Sequence, residues 1–181
     1  MSHTSYVNEA AAVHAARRGE RAAFEWLVRR HQQRALAVAI GVLHNVEDAR
    51  DACQEAFLRA FRALEHFDGQ SRFSTWLYRI VVNLCIDRLR LKPAPSVALD
   101  DVAGVLAADD DPFRAVAGLE LRDRIGAALA ALSPAHRTAL VLRELHGLSY
   151  QEIAEAMQCS PGTVMSRLFN ARRRMQALLG A

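Results

Sequence analysis

Glycine and proline are scarce in this sequence, with 9 and 5 among 181 residues. Strands joined by tight turns need more of both, so the shortage argues against sandwiches and barrels and for helices. Cysteine is scarce too. Cys53, Cys85 and Cys159 stand 32 and 74 positions apart, a spacing that matches neither a paired metal clip nor a disulfide framework. All three read as reduced, mostly buried thiols. The seven histidines (His3, His14, His31, His44, His66, His136 and His146) are scattered, with no HExxH, no Gly-rich phosphate loop and no placeable Ser/His/Asp ordering. The expectation is therefore a protein that is not an enzyme, with no cofactor, no metal and no small-molecule substrate. The opening "MSHTSYVNEA" lacks a basic stretch followed by an apolar one, and no segment reaches the roughly 18 uninterrupted apolar residues of a membrane span. A cytoplasmic location is expected.

What is present is an apolar helical chain, 51% hydrophobic, long enough for two small domains. Its net charge of +3 is unevenly spread. Residues 1–90 carry 13 basic against 10 acidic side chains, residues 91–119 carry 2 against 5, and residues 120–181 carry 8 against 5. Two basic blocks flanking an acidic one suit a polyanionic partner.

Helical periodicity begins near Glu9, breaks around Gly19 and runs to about His44. Asn45 then reads as an N-cap, with Asp48 in the reciprocal position of a capping box. The helix it opens, to about His66, buries Ala49, Ala52, Cys53, Ala56, Ala60 and Leu64. Asp51, Glu55 and Leu58, with Gln54 beside them, make an outer strip of carboxylates and one leucine, which is also what an ordinary solvated face offers. After the loop "HFDGQSRFS", Ser74 or Thr75 is expected to cap a helix that turns Leu77, Ile80, Val81 and Leu84 inward. Trp76, Arg79, Asn83, Asp87 and Arg90 recur on its other side at three, four, four and three. An indole beside guanidiniums is what a single-strand platform requires, since the ring stacks on any base and the cations track phosphates. A tryptophan plugging a core explains the same wheel equally well.

From Leu91 to about Gly118 the period dissolves into prolines, alanines and five aspartates, the composition of a flexible linker. Beyond it, Ser133-Pro134, Ser149 with Glu152, and Ser160-Pro161 mark three helix starts. In the last helix Val164, Leu168, Ala171, Met175 and Leu178 form a stripe for burial. Opposite lie Ser166, Phe169, Asn170 and Arg173, flanked by Arg167, Arg172 and Arg174, with Thr163 in the first turn. Two short helices joined by "QCS" are the arrangement of a helix-turn-helix. In a major groove Asn170 pairs bidentately with adenine, Ser166 bonds bases or phosphate, Phe169 touches a thymine methyl, and the arginines take guanine or phosphates.

The segments "DARDACQEAFLRAFRAL", "FSTWLYRIVVNLCIDRLR", "LSPAHRTALVLRELHGLSYQEIAEAM" and "SPGTVMSRLFNARRRM" closely resemble bacterial RNA polymerase sigma factors of the extracytoplasmic function group. The resemblance spans nearly all of residues 20 to 178. It implies an all-α fold of two small domains on a flexible linker: residues 9–90 for core docking and the minus-ten element, 91–119 as linker, and 120–181 for the minus-thirty-five element. It implies that Asp51, Gln54, Glu55 and Leu58 meet a coiled coil of the beta-prime subunit, and that the second domain meets the beta flap. It further implies Phe67, Asp68 and Asn83 near a base flipped out of the non-template strand, with Trp76 or Arg79 near the melted junction and Arg90 on the same face. Such flipping is offset by stacking and edge hydrogen bonds, a few kcal/mol per base. Promoter DNA, core polymerase and an anti-sigma factor are the implied partners, the last holding the protein off and able to hold it at a membrane. Many relatives carry Arg in place of Asn170 and Met165, which predicts an adenine preference opposite Asn170. Asp109, Asp110 and Asp111 in the linker suit mimicry of nucleic acid or plain solvation alike. The rival from another class is a two-domain helix-turn-helix regulator acting without core polymerase, which would carry a ligand pocket in its first domain.

Overall fold

The structure is a computed structural model that describes residues 8–91, 121 and 123–180. The expected linker beyond Leu91, with Asp109, Asp110 and Asp111, lies outside the described residues. Helices account for every regular element described, as the all-α expectation required.

Helix α1 (Glu9–Arg17) starts where the Asn8 side chain accepts a hydrogen bond from the Ala11 N–H, and it ends before Gly19, whose φ of +90° suits only glycine well. Helix α2 (Arg21–Leu43) ends at His44, which adopts the left-handed conformation. Asn45 then caps α3 (Val46–Ala63) by accepting from the Asp48 N–H at 2.8 Å. A 3-10 turn (Leu64–His66) leads to the loop before α4 (Phe73–Leu91). Here the sequence-based start is corrected: Ser74 and Thr75 lie inside the first turn of α4, and the Trp76 N–H bonds back to the Arg72 carbonyl. The Thr75 hydroxyl instead donates to the Glu152 carboxylate at 3.2 Å.

The first domain packs α2 against α1, α3 and α4. Ala23, Ala35, Ala39, Ala49, Ala52, Ala56 and Ala60 are fully buried, and such small side chains let helix axes approach closely. Leu27, Val38, Val42, Leu77, Val81 and Val82 fill the spaces between them, each contributing roughly 1.5–3 kcal/mol by leaving water. His31 is buried and its Nε2 lies 3.0 Å from a Glu9 carboxylate oxygen, tying α1 to α2.

The second domain comprises α5 (123–130), α6 (Pro134–Leu140), α7 (Tyr150–Ala156) and α8 (Pro161–Leu179). Ser133, Ser149 and Ser160 cap α6, α7 and α8 as the sequence predicts. A wide π turn over Val141–Leu145 continues α6, a feature no local signal announced. Leu142, Ile153, Val164, Leu168 and Ala171 form its centre.

The two domains are packed together. Helix α4 lies against α7 and α2 against α6, so the buried side chains form one continuous cluster. The Arg137 guanidinium donates across the boundary to the Val42 carbonyl at 2.8 Å.

Candidate nucleic-acid interface

The presentation of α8 begins with the turn that aims it. The Ser149 hydroxyl accepts from the Glu152 N–H at 3.2 Å while the Glu152 carboxylate accepts from the Ser149 N–H at 2.9 Å, a complete capping box on α7. The backbone bond from Ser149 is the main reason the Glu152 carboxyl is held below the usual carboxylate range. Helix α7 ends at Ala156, and Gln158 just beyond it has a φ of +51°, which places a non-glycine residue in the left-handed region. Ser160 then caps α8, accepting from the Thr163 N–H at 3.1 Å, with Pro161 in the first helical position.

The stripe on α8 divides as expected. Val164, Leu168 and Ala171 are buried and Met175 is half-buried, while Ser166, Phe169, Asn170, Arg173 and Arg174 are exposed. Phe169 is 65% exposed and Met165, one turn earlier, 56%. Two large apolar side chains held in water beside a serine, an asparagine and guanidiniums form a surface that a groove with methyl groups and phosphates complements. Asn170, Arg173 and Arg174 also line a cleft of about 440 Å³ with Ser133 and His136.

Three predicted members of this face are otherwise engaged. The Thr163 hydroxyl sits 2.9 Å from that of Ser160. Arg167 donates to the Cys159 sulfur at 3.5 Å, bracing α8 on its turn. Arg172 places its Nε and Nη2 at 3.2 and 2.7 Å from one Glu144 oxygen, and hydrogen bonds to Glu144 and then Tyr150 raise its pKa. Its charge is already half spoken for.

In the first domain the expectation of an exposed indole is corrected. Trp76 is only 9% exposed, its ring tilted against those of Phe67 and Phe73 with centroids 5.1 and 5.7 Å apart. The ring plugs the junction of α4 with the loop, because a wheel cannot reveal that a loop covers that side. Arg79 and Asn83 are half-buried, and Arg90 is exposed and 3.5 Å from Asp87. Asp68 is exposed, its carboxylate accepting from the Gln70 N–H at 3.0 Å around Gly69, whose φ is +75°.

Phe67 is buried, yet it lines a cleft of about 350 Å³ between α1 and the loop. His14, Arg17, Ser71 and Arg72 line the same cleft. Asp68 and Asn83 are not among its walls. The contribution of α1 was missed, since nothing in its alanine-rich pattern distinguishes His14 and Arg17 from solvated residues.

The strip on α3 is as predicted and wider. Asp51, Gln54 and Leu58 are exposed, and Asp51 lies 3.8 Å from Arg88. Glu55 accepts from Arg59 at 2.8 Å, a hydrogen bond that lowers its pKa. Phe61, 44% exposed one turn beyond Leu58, leans on Phe24 with centroids 5.0 Å apart. An exposed leucine and phenylalanine rimmed by carboxylates exceed the ordinary solvated face; the three-residue spacing of Leu58 and Phe61 was the available signal.

The thiols match the reading made from spacing. Cys53 and Cys85 are buried, which pushes each up to about 12, so both are unreactive at neutral pH. Among the described residues no group of three metal-ligating side chains exists, and no helix is long and apolar enough to cross a membrane.

Comparison with known proteins covers both halves. Residues 27–92 match the family model of sigma-70 region 2, and residues 122–175 that of sigma-70 region 4. The chain is 39% identical over 171 residues to the RNA polymerase sigma-H factor of Pseudomonas aeruginosa, covering 90% of this chain and 89% of that one. It is 38% identical over 164 residues to the ECF RNA polymerase sigma-E factor of Escherichia coli K12, covering 86% and 85%. Among solved structures, CnrH in complex with the cytosolic domain of CnrY superposes with a TM-score of 0.69 at 31% identity, over 93% of this chain and 95% of that one. The sigma factor RpoE of Bartonella quintana, in complex with the anti-sigma factor NepR, gives 0.68 at 26% identity, over 87% and 97%.

Proposed function

Because this chain belongs to the sigma-70 family, in its extracytoplasmic function group, we propose that it binds core RNA polymerase and directs promoter recognition and melting. The observation that carries this is the pairing of two surfaces on one chain: the helix-turn-helix face of α8, and the acidic and apolar strip of α3 in a separate domain. A regulator that acts alone needs the first and has no use for the second.

In this reading residues 120–181 read the minus-thirty-five element in duplex form. Ser166, Phe169 and Asn170 meet base edges, and Arg173 and Arg174 meet phosphates, with Arg167 and Thr163 setting the pitch of the helix. Residues 9–90 serve the minus-ten element, where the cleft beside Phe67 receives an unpaired base and Arg17 and Arg72 draw in its phosphate. Asn83, Asp68, Arg79 and Arg90 flank that path, and Trp76 acts by fixing Phe67 and the loop rather than by stacking on DNA. Asp51, Gln54, Glu55, Leu58 and Phe61 dock on the polymerase, where Leu58 and Phe61 supply apolar area and the carboxylates supply register.

The protein contributes position and electrostatics, and makes or breaks no bond. It works in the cytoplasm, where its DNA and polymerase are, and an anti-sigma factor is the partner expected to restrain it, in a stress-responsive circuit. Run-off transcription with purified core polymerase and a promoter library tests the reading. Transcripts that require this chain, and that vanish with Leu58→Arg, are expected; DNA binding without any dependence on core polymerase would select the stand-alone regulator instead.

A further inference from the structure

Helix α8 holds two large apolar side chains in water on its polar face. Met165 is 56% exposed and Phe169 65%. They stand four residues apart, which puts them on one side of the helix as neighbours, about 6 Å apart along its axis. A single exposed apolar residue is ordinary. Two adjacent ones among Ser166, Asn170 and Arg173, all exposed, are not explained by packing, because Val164, Leu168 and Ala171 already form the buried stripe. The major groove offers one apolar group for such a pair, the C5-methyl of thymine. A thioether and a phenyl ring have no donor and at most a weak acceptor, so neither distinguishes one hydrogen-bonding base edge from another. What they detect is whether a methyl is there.

The separation of the two side chains is close to two base-pair steps of about 3.4 Å each, which sets the spacing of the methyls they reach. Asn170 directly follows Phe169 and suits adenine, and the partner of that adenine is a thymine whose methyl lies in the same groove. One A·T pair is thus open to reading from both strands, by the amide and by the ring. We propose that Met165 and Phe169 read the C5-methyl groups of two pyrimidines, one or two steps apart, in the duplex that α8 enters. Thymine and 5-methylcytosine carry this methyl in the same place, so they are equivalent to these two side chains, and methylation of a cytosine at either position strengthens the element. Met165 thereby joins Asn170 as a residue that sets specificity. The proposal deepens the promoter reading above and rests on it.

Deoxyuridine pairs as thymine does and lacks only the methyl, so it isolates the contact. Holoenzyme assembled from core polymerase and the full chain is titrated by anisotropy against a labelled upstream duplex, each thymine replaced in turn by deoxyuridine. Two positions are expected to respond, each by about fourfold in affinity, the scale of burying one methyl. That ratio is expected to hold between about 50 and 200 mM salt, a range over which phosphate contacts weaken. Met165→Ala is expected to abolish the response at one position and Phe169→Ala at the other. Both side chains are exposed and alanine is the better helix former, so the variants keep the fold. With a C·G pair at either position, 5-methylcytosine is expected to bind about fourfold better than cytosine, and no better in the matching alanine variant. Indifference to every deoxyuridine in a holoenzyme that initiates, or a response that survives both alanine variants, overturns the proposal and leaves the sigma reading standing. Failure to initiate overturns the sigma reading, and the same replacements in a duplex that the chain selects unaided then decide the methyl reading; selection of no duplex overturns both.

Discussion

Arg172 and Arg173 are neighbours on α8, and the structure predicts that only one of them counts electrostatically on DNA. Arg172 is clamped by Glu144 through two donors, with both side chains about half exposed. Such surface pairs contribute about 0–1 kcal/mol, enough to keep the guanidinium on Glu144 unless a phosphate competes, and the pair adds no net charge to the groove. Arg173 is exposed and has no ion-pair partner among the described residues. Each phosphate neutralised steepens the dependence of log K on log salt by about 0.9, so between 50 and 200 mM salt one contact costs about 3.5-fold in affinity. Measured by anisotropy, with holoenzyme assembled on a labelled upstream promoter duplex, Arg173→Ala is expected to flatten the slope by about 0.9 and Arg172→Ala by close to nothing. Glu144→Gln frees Arg172 and is expected to steepen it. Equal flattening by the two alanine variants, or no change with Glu144→Gln, would refute the reasoning.

Three further outcomes follow from the same geometry. Asn170→Ala is expected to erase an adenine preference at one minus-thirty-five position, read by transcription from promoters substituted base by base, at a loss of about 1–3 kcal/mol; an unchanged base profile contradicts the assignment. Trp76→Ala is expected to lower stability by about 3–5 kcal/mol in chemical denaturation, with Trp76→Phe far milder, because the indole fills a junction with Phe67 and Phe73. His44 and His146 are both pushed down to about 4, chiefly by burial, then by Arg137 and Arg34 respectively. Their folded-state values lie below the ordinary 6.5, so the packed state is at full strength above pH 6.5 and weakens as pH falls from 6.5 towards 4. The loss over that window is up to about 3 kcal/mol for each histidine, and His44→Asn with His146→Asn is expected to flatten that part of the denaturation-versus-pH curve.

What the sequence revealed and what it hid divide along the distance between interacting residues. Caps at Asn45, Ser133, Ser149 and Ser160 were legible because a cap is made by a side chain and an N–H three residues on. The buried stripe of α8 was legible because periodicity is local. Trp76 was not, since whether a loop lies over it depends on Phe67, which the helical wheel of α4 does not contain. The contact between the domains was beyond any local rule: Arg137 and Val42 are 95 positions apart, and Arg137 reads as one more basic residue until its burial is seen. The π turn at Val141–Leu145 serves the same boundary, bringing Val141 onto Gly41.

The central claim is that this chain opens a start site only in company with core polymerase, through two domains that read DNA in different states. Permanganate reactivity of thymines around a start site tests it most directly, with core polymerase alone, this chain alone, and both together. The account predicts reactive, unpaired thymines only in the third mixture, lost when Phe67 is replaced by alanine in a variant that still binds core. Opening by core alone to the same extent, or none in the mixture despite a formed complex, would contradict it.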